Sequence, residues 1–227
     1  MARLELLQGA VMSELNGWQQ PLHYGDGASE LKMLRESVGI QDLSPRGAVR
    51  LVGEDAVSLE TRLFSGQKEL AVGQARECRI AAENETVSLL QLRLARDEFI
   101  FLTAPGDAET VTEFLRSPPA PCVHTIDISS GLAGAGIVGP QATFLLSMIT
   151  ELDVSSEAFP SLRCVQSRFA DVPGLLVRQD AVTGPAYQLY FTREYGEYVW
   201  EVITQAAHRI GGGAVGTEAI KCLQDGC

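Results

Sequence analysis

Residues 22–56 constrain the fold most, because turn, helix and strand signals follow one another there within a short length of chain. Residues 24–27 (Tyr-Gly-Asp-Gly) are typical of a tight turn, since Gly and Asp tolerate the backbone angles that such turns need. Ser29 is the predicted N-cap of a helix whose apolar residues recur at helical spacing, and Gly39 is predicted to end that helix. The order predicts a domain in which helices and strands are mixed.

The pattern continues through residues 40–56 with a connection, a strand and a second helix. Residues 40–47 are predicted to form the connection, and residues 48–52 alternate in polarity as a strand does. Residues 54–63 open with acidic side chains, which the dipole of a helix favours in its first turn. This stretch alone does not assign a function.

The rest of the chain is predicted to continue in short strands with helices between them. Further strands are predicted at residues 73–82, 87–93, 99–103, 122–128, 132–138, 162–169, 174–178 and 187–191. Further helices are predicted at residues 107–115, 142–150, 194–210 and 215–223. Strands that run mainly in hairpins favour an α+β fold with antiparallel sheets over a parallel α/β sheet.

The strongest break in the chain is the proline-rich segment at residues 117–121, Ser-Pro-Pro-Ala-Pro. Three prolines in five residues exclude a continuous helix or a central strand there. The sequence therefore predicts two lobes, residues 1–117 and residues 122–227, within one module.

Composition excludes several classes of function. The net charge is −11, and 18 Lys and Arg face 29 Asp and Glu, so a surface for the phosphate backbone of a nucleic acid is not expected. We see no signal-peptide pattern and no apolar run long enough to span a membrane, so we expect a cytoplasmic protein without a membrane segment. The five cysteines show no paired spacing, which predicts reduced thiols, and the three isolated histidines predict no metal site.

The N-terminal quarter resembles the glycine-cleavage T-protein (aminomethyltransferase) family. The positions that follow the family pattern, in order and without a gap, are Trp18, Pro21, Leu22, Tyr24, Gly25, Gly39, Asp42, Ser44, Gly53, Asp55 and Ala56. In the second half, residues 137–142, 183–190 and 215–226 are similar to three further segments of the family. The resemblance covers nearly the whole chain.

This resemblance implies a fold and a ligand. The fold would consist of two antiparallel-sheet and helix lobes around a central cleft, without the C-terminal β-barrel domain of the full-length enzymes. Family members hold tetrahydrofolate in a central funnel and transfer an aminomethyl group to it. The resemblance therefore implies a module of one-carbon metabolism that binds tetrahydrofolate or a folate-like small molecule.

The family's catalytic positions have changed in this chain. The Asp that follows a hairpin in the family falls on Val87 or Ser88, and Glu85 could replace it only if the turn were rebuilt. Other pocket positions that differ from the family are Glu77, Val182, Pro185, Glu218 and Cys222. We therefore assign no catalytic residue and expect aminomethyl transfer to be weak or absent.

Six residues are candidates for contact with the ligand: Tyr24, Asp42, Ser44, Arg178, Tyr187 and Gln188. Gln188 aligns with a Glu that would hold the pterin ring, and it keeps a hydrogen-bond acceptor while losing the charge. Arg178 would replace a lost Arg that grips a ligand carboxylate. Four have a structural alternative: a turn or cap for Asp42 and Ser44, a surface strand for Arg178, and core packing for Tyr24. Tyr187 and Gln188 alternate along one strand, so only one of them can face the ligand.

Three other interpretations of the whole chain are open. One is a small non-catalytic subunit of a sarcosine-oxidase-type complex, in which a protein partner caps the cleft. A second is an interaction module with a vestigial pocket. A third is membership of a folate-binding group that repairs iron–sulfur enzymes. Residues 221–224 keep only part of the sequence signature of that group.

Overall fold

The computed structural model describes residues 2–82, 85–181 and 184–226 and shows a mixed α+β protein. Its strands form a two-stranded, a six-stranded and a five-stranded sheet across the described residues. Eight strand pairs of the described residues are antiparallel, whereas β13 (Gly213–Ala214) and β3 (Gly39–Asp42) pair in parallel. The predicted α+β class with antiparallel sheets is confirmed.

The chain divides into two compact units. Unit 1 comprises the chain up to Pro45, Leu132–Ser161 and the chain from Gln166 onward, and unit 2 comprises Arg46–Gly131 and Leu162–Val165. The division predicted at residues 117–121 falls elsewhere, because the proline-rich segment lies inside unit 2. A break in local structure need not coincide with the point at which the chain leaves one packed unit.

Unit 1 is built on the six-stranded sheet with the order β10-β11-β12-β9-β3-β13. Its other strands are β9 (Leu132–Val138), β10 (Cys164–Phe169), β11 (Val172–Arg178) and β12 (Ala186–Thr192), and a separate hairpin consists of β1 (Val11–Leu15) and β2 (Trp18–His23). Its helices are α1 (Ala2–Leu7), α2 (Gly27–Glu36), α5 (Ala142–Ser147), α6 (Gly196–Arg209) and α7 (Thr217–Asp225).

Unit 2 is built on the five-stranded sheet with the order β5-β6-β7-β4-β8. The strands are β4 (Gly47–Val52), β5 (Ala75–Ala82), β6 (Glu85–Ala95), β7 (Glu98–Thr103) and β8 (His124–Asp127). Its helices are α3 (Ala56–Leu63) and α4 (Ala108–Arg116). Apolar side chains from both helices and from the sheet, among them Leu51, Leu59, Phe101 and Leu115, are buried together in one core.

Helix α2 begins and ends at other residues than the sequence predicts. Asp26, not Ser29, is the N-cap, because its Oδ1 accepts a hydrogen bond from the Ala28 N–H over 3.1 Å. The helix ends at Glu36, and Gly39 instead begins β3. Ser29 contributes to the cap from the side, since its hydroxyl donates to the Asp26 carboxylate over 3.0 Å.

Strand β3 occupies residues that the sequence assigned to a connection. Its backbone pairs with β9 on one side and with β13 on the other, and Ile40 and Asp42 are buried. A strand of four residues with a polar pair, Gln41 and Asp42, gives a weak pattern, so its neighbours rather than its own sequence determine its conformation. Strand β2 lies just before the first predicted turn and was likewise not predicted.

No helix in the described part of the chain is both long and apolar enough to cross a membrane.

Candidate functional site

The register of the six-stranded sheet decides which predicted site residues share a face. Gln188 on β12 pairs with Gly136 on β9, which in turn pairs with Gln41 on β3. Asp42 pairs with Ala135 instead. Because paired residues share a face and successive residues alternate, Gln188 and Asp42 project from opposite faces of the sheet. The structure does not bring these two predicted ligand contacts together.

The face that carries Gln188 is rich in amide groups. The Gln188 side chain donates to Gln179 Oε1 over 2.7 Å and accepts from the Tyr190 hydroxyl over 2.8 Å. Gly136 adds no side chain to this face. A Cβ added to it would lie 3.4 Å from the Leu43 side chain, which is an ordinary van der Waals contact. We call this surface the amide face; it consists of Gln41, Gly136, Gln179, Gln188 and Tyr190.

Tyr187 and Arg178 lie on the opposite face and bond within unit 1. The Arg178 guanidinium lies 5.5 Å from the centre of the Tyr187 ring, and its Nε donates to Asp180 Oδ1 over 2.6 Å. Its Nη1 donates to the Phe159 carbonyl over 2.9 Å. The Tyr187 hydroxyl donates to the Val154 carbonyl over 3.1 Å. These bonds tie β11 and β12 to the segment that precedes β10.

Asp42 and Ser44 line a cavity of about 520 Å³ in unit 1, which we call the Asp42 cavity. Its wall consists of Ala2, Gly17, Trp18, Gln19, Asp42, Ser44, Pro45, Ala133, Arg193, Glu194, Gly196 and Glu197. Asp42 is only 6% exposed, and its Oδ1 accepts from the Ser44 N–H over 2.8 Å. The Ser44 hydroxyl oxygen accepts from the Gly134 N–H over 3.2 Å. A tight turn after β3 therefore fixes both polar side chains.

A second buried acid, Glu5 from α1, lies close enough to Asp42 to interact with its charge. Glu5 is fully buried, and a side-chain hydrogen bond joins its carboxyl group to that of Asp42. Burial and, second, the charge of Asp42 raise the pKa of Glu5 to about 8. Burial raises the pKa of Asp42 in the same direction. Two carboxyl groups buried together favour a state in which one of them holds a proton.

Tyr24 belongs to the same buried cluster. Its hydroxyl is buried and finds no hydrogen-bond partner in the described part of the chain. Burial raises the Tyr24 pKa, and the charges of Glu5, Asp42 and Glu30 act in the same direction. The Tyr24 backbone is held by buried Glu30, which accepts from the N–H groups of Tyr24 over 2.6 Å and of Gly216 over 2.7 Å.

The positions of the family's catalytic carboxylate hold no acid. Val87 is buried in the core of unit 2, and Ser88 pairs with Arg79 across the β5–β6 hairpin. Residues 83–84 and the predicted pocket position Val182 lie outside the described residues, as does the side chain of Glu85. Glu218, which the resemblance aligns with a ligand-gripping Arg, is exposed on α7.

Within the described ranges, no group of three or more His, Cys, Asp and Glu side chains is placed to hold a metal ion.

Several residues in or near these two surfaces were not among the six candidates from the sequence: Glu5, Trp18, Glu30, Gly136 and Arg193. Glu5 has a sequence signal, since it is an acid between the apolar residues Leu4 and Leu6. The others become neighbours only through contacts between distant segments. For example, Arg193 lies 5.5 Å over the ring of Trp18.

Comparison with known proteins identifies related sequences over nearly the whole chain. The family model described as the GCVT N-terminal domain matches residues 2–224. Sarcosine oxidase subunit alpha of Corynebacterium sp. (strain U-96) is 27% identical over 242 residues, which cover 96% of this chain and 25% of that protein. An aminomethyltransferase of Streptomyces coelicolor is 25% identical over 207 residues, which cover 89% of this chain and 55% of that protein. The chain thus spans about a quarter to about half the length of these curated relatives.

Two solved structures share the fold. Glycine cleavage system aminomethyltransferase T from Bartonella henselae matches with a TM-score of 0.82 at 18% identity, over 98% of this chain and 60% of that chain. A chain of the heterotetrameric sarcosine oxidase from Corynebacterium sp. U-96 matches with a TM-score of 0.60 at 18% identity, over 84% of this chain and 93% of that chain.

Proposed function

The chain belongs to the GCVT N-terminal domain family, and on this basis we propose that it binds tetrahydrofolate or a folate-like ligand, with weak or absent aminomethyl transfer. The observation that carries the proposal is the amide face, where Gln188 lies beside Gly136, which adds no side chain of its own to this face. A flat heteroaromatic ring needs apolar walls and a few placed polar groups. Gln188 already donates to Gln179 and accepts from Tyr190, so the edge of a pterin would bond to its second amide N–H and to the second lone pair of its oxygen.

The residues present fit such a ligand in part. Gln188 supplies an uncharged donor and acceptor where the family resemblance implies a carboxylate, so the hydrogen bond to the pterin loses its charge assistance. Arg178 is occupied by Asp180 and by the Phe159 carbonyl, so it is a poor candidate to grip a ligand carboxylate. We therefore assign ring recognition to Gln188 and place Asp42, Ser44 and Tyr187 outside this site.

The proposal includes a cytoplasmic location and no role for nucleic acid, in keeping with the acidic composition. Burial raises the pKa of Cys78 to about 11 and that of Cys164 to about 12, so these thiols stay protonated and inert at neutral pH.

Replacing Gln188 with leucine is expected to weaken tetrahydrofolate binding about tenfold, because the ring edge loses its polar partner. Calorimetric titration measures the change. Gln166→Leu is the matched control, since Gln166 is exposed on β10 of the same sheet, and its affinity should equal that of the wild type. Gly136→Ala should also weaken binding, because its Cβ makes only ordinary contacts with Leu43 and Gln41 but adds a methyl group to the amide face. Unchanged affinity in both Gln188→Leu and Gly136→Ala would show that the ligand does not bind at the amide face.

Aminomethyl transfer by the purified protein is expected to be slower than that of a full-length family enzyme by about a hundredfold or more, because no acid stands at Val87 or Ser88. The assay contains the other glycine-cleavage components and the full-length enzyme as a positive control. Comparable turnover would show that another group supplies the catalytic carboxylate.

A second candidate function is a subunit of a sarcosine-oxidase-type complex. It is favoured by the match to 93% of one chain of a heterotetrameric enzyme, which indicates that a chain of this fold can act as a separate subunit. In this case a protein partner would cap the ligand cleft. The mass of the native protein purified from its own cells distinguishes the candidates: a stable complex of fixed stoichiometry supports the second, and a single species of 24.5 kDa supports the first.

A further inference from the structure

Helix α1 is attached to the rest of unit 1 mainly through one acidic side chain. Of its six residues only Glu5 is buried, whereas Leu6 and Leu7 are exposed. Ala2 and Leu4 are half-buried. A surface helix of a globular protein usually packs an apolar stripe against the core. Here an acid takes that place, so the docking of α1 depends on the state of the Glu5 carboxyl group.

The connection between α1 and β1 has the properties of a hinge. Gly9 has a φ of +89°, a conformation that favours glycine, and a Cβ added to it would meet no atom within 4 Å. Just before it, Gln8 Oε1 accepts a hydrogen bond from Trp200 Nε1 on α6 over 3.2 Å. Rotation about Gly9 therefore moves α1 at the cost of the Glu5 contacts and of this one bond, while the sheet keeps its packing.

The groups that face Glu5 make its docked position sensitive to pH. A side-chain hydrogen bond joins Glu5 to Asp42 on β3, and burial and the charge of Asp42 raise the pKa of Glu5 to about 8. Burial and the neighbouring acids, Glu30 on α2 among them, raise the pKa of Tyr24, so its hydroxyl stays neutral. The positive charge of the amino terminus lowers the pKa of Glu5. An α-amino group loses its charge near pH 8, so this support weakens as the pH rises.

Loss of the shared proton makes the docked position of α1 unfavourable. Two carboxylates at hydrogen-bond distance repel each other, and burial withholds the solvation that each would have in water. Release of α1 moves Glu5 into water and leaves Asp42 with its bond from the Ser44 N–H. It exposes little apolar surface, because Glu5 is the one buried side chain of the helix, whereas global unfolding exposes the whole core. Local release is therefore the smaller response to the same ionisation.

We propose that α1 is a pH-sensitive latch, which is docked while Glu5 and Asp42 share a proton and swings out about Gly9 when mildly alkaline solution removes that proton. A released segment of this length does not stay helical in water. Because Ala2 forms part of the wall of the Asp42 cavity, release of α1 also opens that cavity. Asp42 and the amide face lie on opposite faces of the sheet, so the latch acts whether or not folate binds.

Hydrogen–deuterium exchange of the purified protein at about pH 6.5 and about pH 9, followed by mass spectrometry, tests the proposal. The reporters are the N–H groups of Gln8 and Ala10, which donate to the Leu4 and Glu5 carbonyls over 3.0 Å each while α1 is docked. After correction for the intrinsic pH dependence of exchange, we expect their protection to fall about tenfold or more at the higher pH. Strands β9 and β12 are the internal reference, and their protection should change by about threefold or less.

Glu5→Gln should keep α1 docked at the higher pH, with a change in protection of about threefold or less, because glutamine donates to Asp42 and does not ionise. Asp42→Asn leaves one acid in the pair and should also show a smaller fall than the wild type, which keeps the test decisive if circular dichroism shows that Glu5→Gln does not fold. Glu14→Gln, exposed on β1, is the matched control and should respond like the wild type.

Three results would overturn the latch. One is wild-type protection of α1 that does not fall at the higher pH. Another is a fall of wild-type size in a folded Glu5→Gln or Asp42→Asn protein, which would assign the response to another group such as the amino terminus. The last is an equal fall in β9 and β12, which would show that the whole of unit 1 opens and not α1 alone.

Discussion

Replacing Arg76 with methionine is expected to lower the free energy of unfolding by about 3–5 kcal/mol, because it leaves a buried carboxylate without its cation. The Arg76 guanidinium contacts the Glu60 carboxylate, donates to Gln91 Oε1 over 2.6 Å and lies 5.8 Å from the centre of the Phe64 ring. Glu60 is 3% exposed and Gln91 is fully buried, and the Gln91 amide also donates to Glu60 over 2.8 Å. Chemical denaturation measures the loss.

Two further variants separate the charge effect from lost packing. Arg79→Met lies on the same strand with an exposed side chain, and its stability should stay within about 0.5 kcal/mol of the wild type. The double variant Arg76→Met, Glu60→Gln should recover a large part of the loss, since it removes the orphaned charge and keeps an amide oxygen that accepts from Gln91. A loss below about 1 kcal/mol in Arg76→Met would show that water reaches Glu60 and screens it.

Stability is expected to fall by roughly 2–4 kcal/mol as the pH rises from 4.5 to about 8, because folded Glu5 holds a proton that the unfolded chain releases. The pKa of Glu5 is raised from its ordinary value of 4.5 to about 8, so in this window the folded state binds more protons than the unfolded state. By linkage, stability is then highest below the ordinary pKa and is lost as the pH rises toward the folded pKa. Asp42, whose pKa is raised too, contributes with the same sign.

Glu5→Gln tests this assignment, because glutamine keeps the shape but does not titrate. The variant should be more stable than the wild type at pH 9 and should show a flatter dependence of melting temperature on pH. Glu14→Gln is the control, since Glu14 is exposed on β1 and should leave the profile unchanged. Wild-type stability that increases between pH 5 and pH 8 would contradict the buried, protonated Glu5.

The sequence predicted the helices from α2 onward and most of the strands because their apolar periodicity is strong. Strand β3 was not predicted, because its conformation depends on pairing with β9 and β13, which lie far away along the chain. The boundary between the units was placed at the proline-rich segment for a similar reason. That segment marks only a local break, whereas a compact unit is defined by contacts between distant residues.

The candidate sites depended on information that the linear sequence does not contain. Both Asp42 and Gln188 fall on residues that follow the family order, yet sheet register puts them on opposite faces. Helix α1 buries the acid Glu5 while Leu6 and Leu7 are 57% and 75% exposed, which the polarity of these residues alone does not predict. A pairing register and the burial of one acid both follow from tertiary packing, which periodicity along one element cannot give.

Calorimetric titration of the purified wild-type chain with tetrahydrofolate tests the central claim, that this family member keeps a folate-type site, most directly. We predict one saturable site per chain with weak affinity, on the order of 10–100 μM, because Gln188 lacks the charge that would strengthen its bond to the ring. An absence of binding heat at millimolar ligand, with the chain shown to be folded, would contradict the claim. The interaction-module interpretation would then replace it.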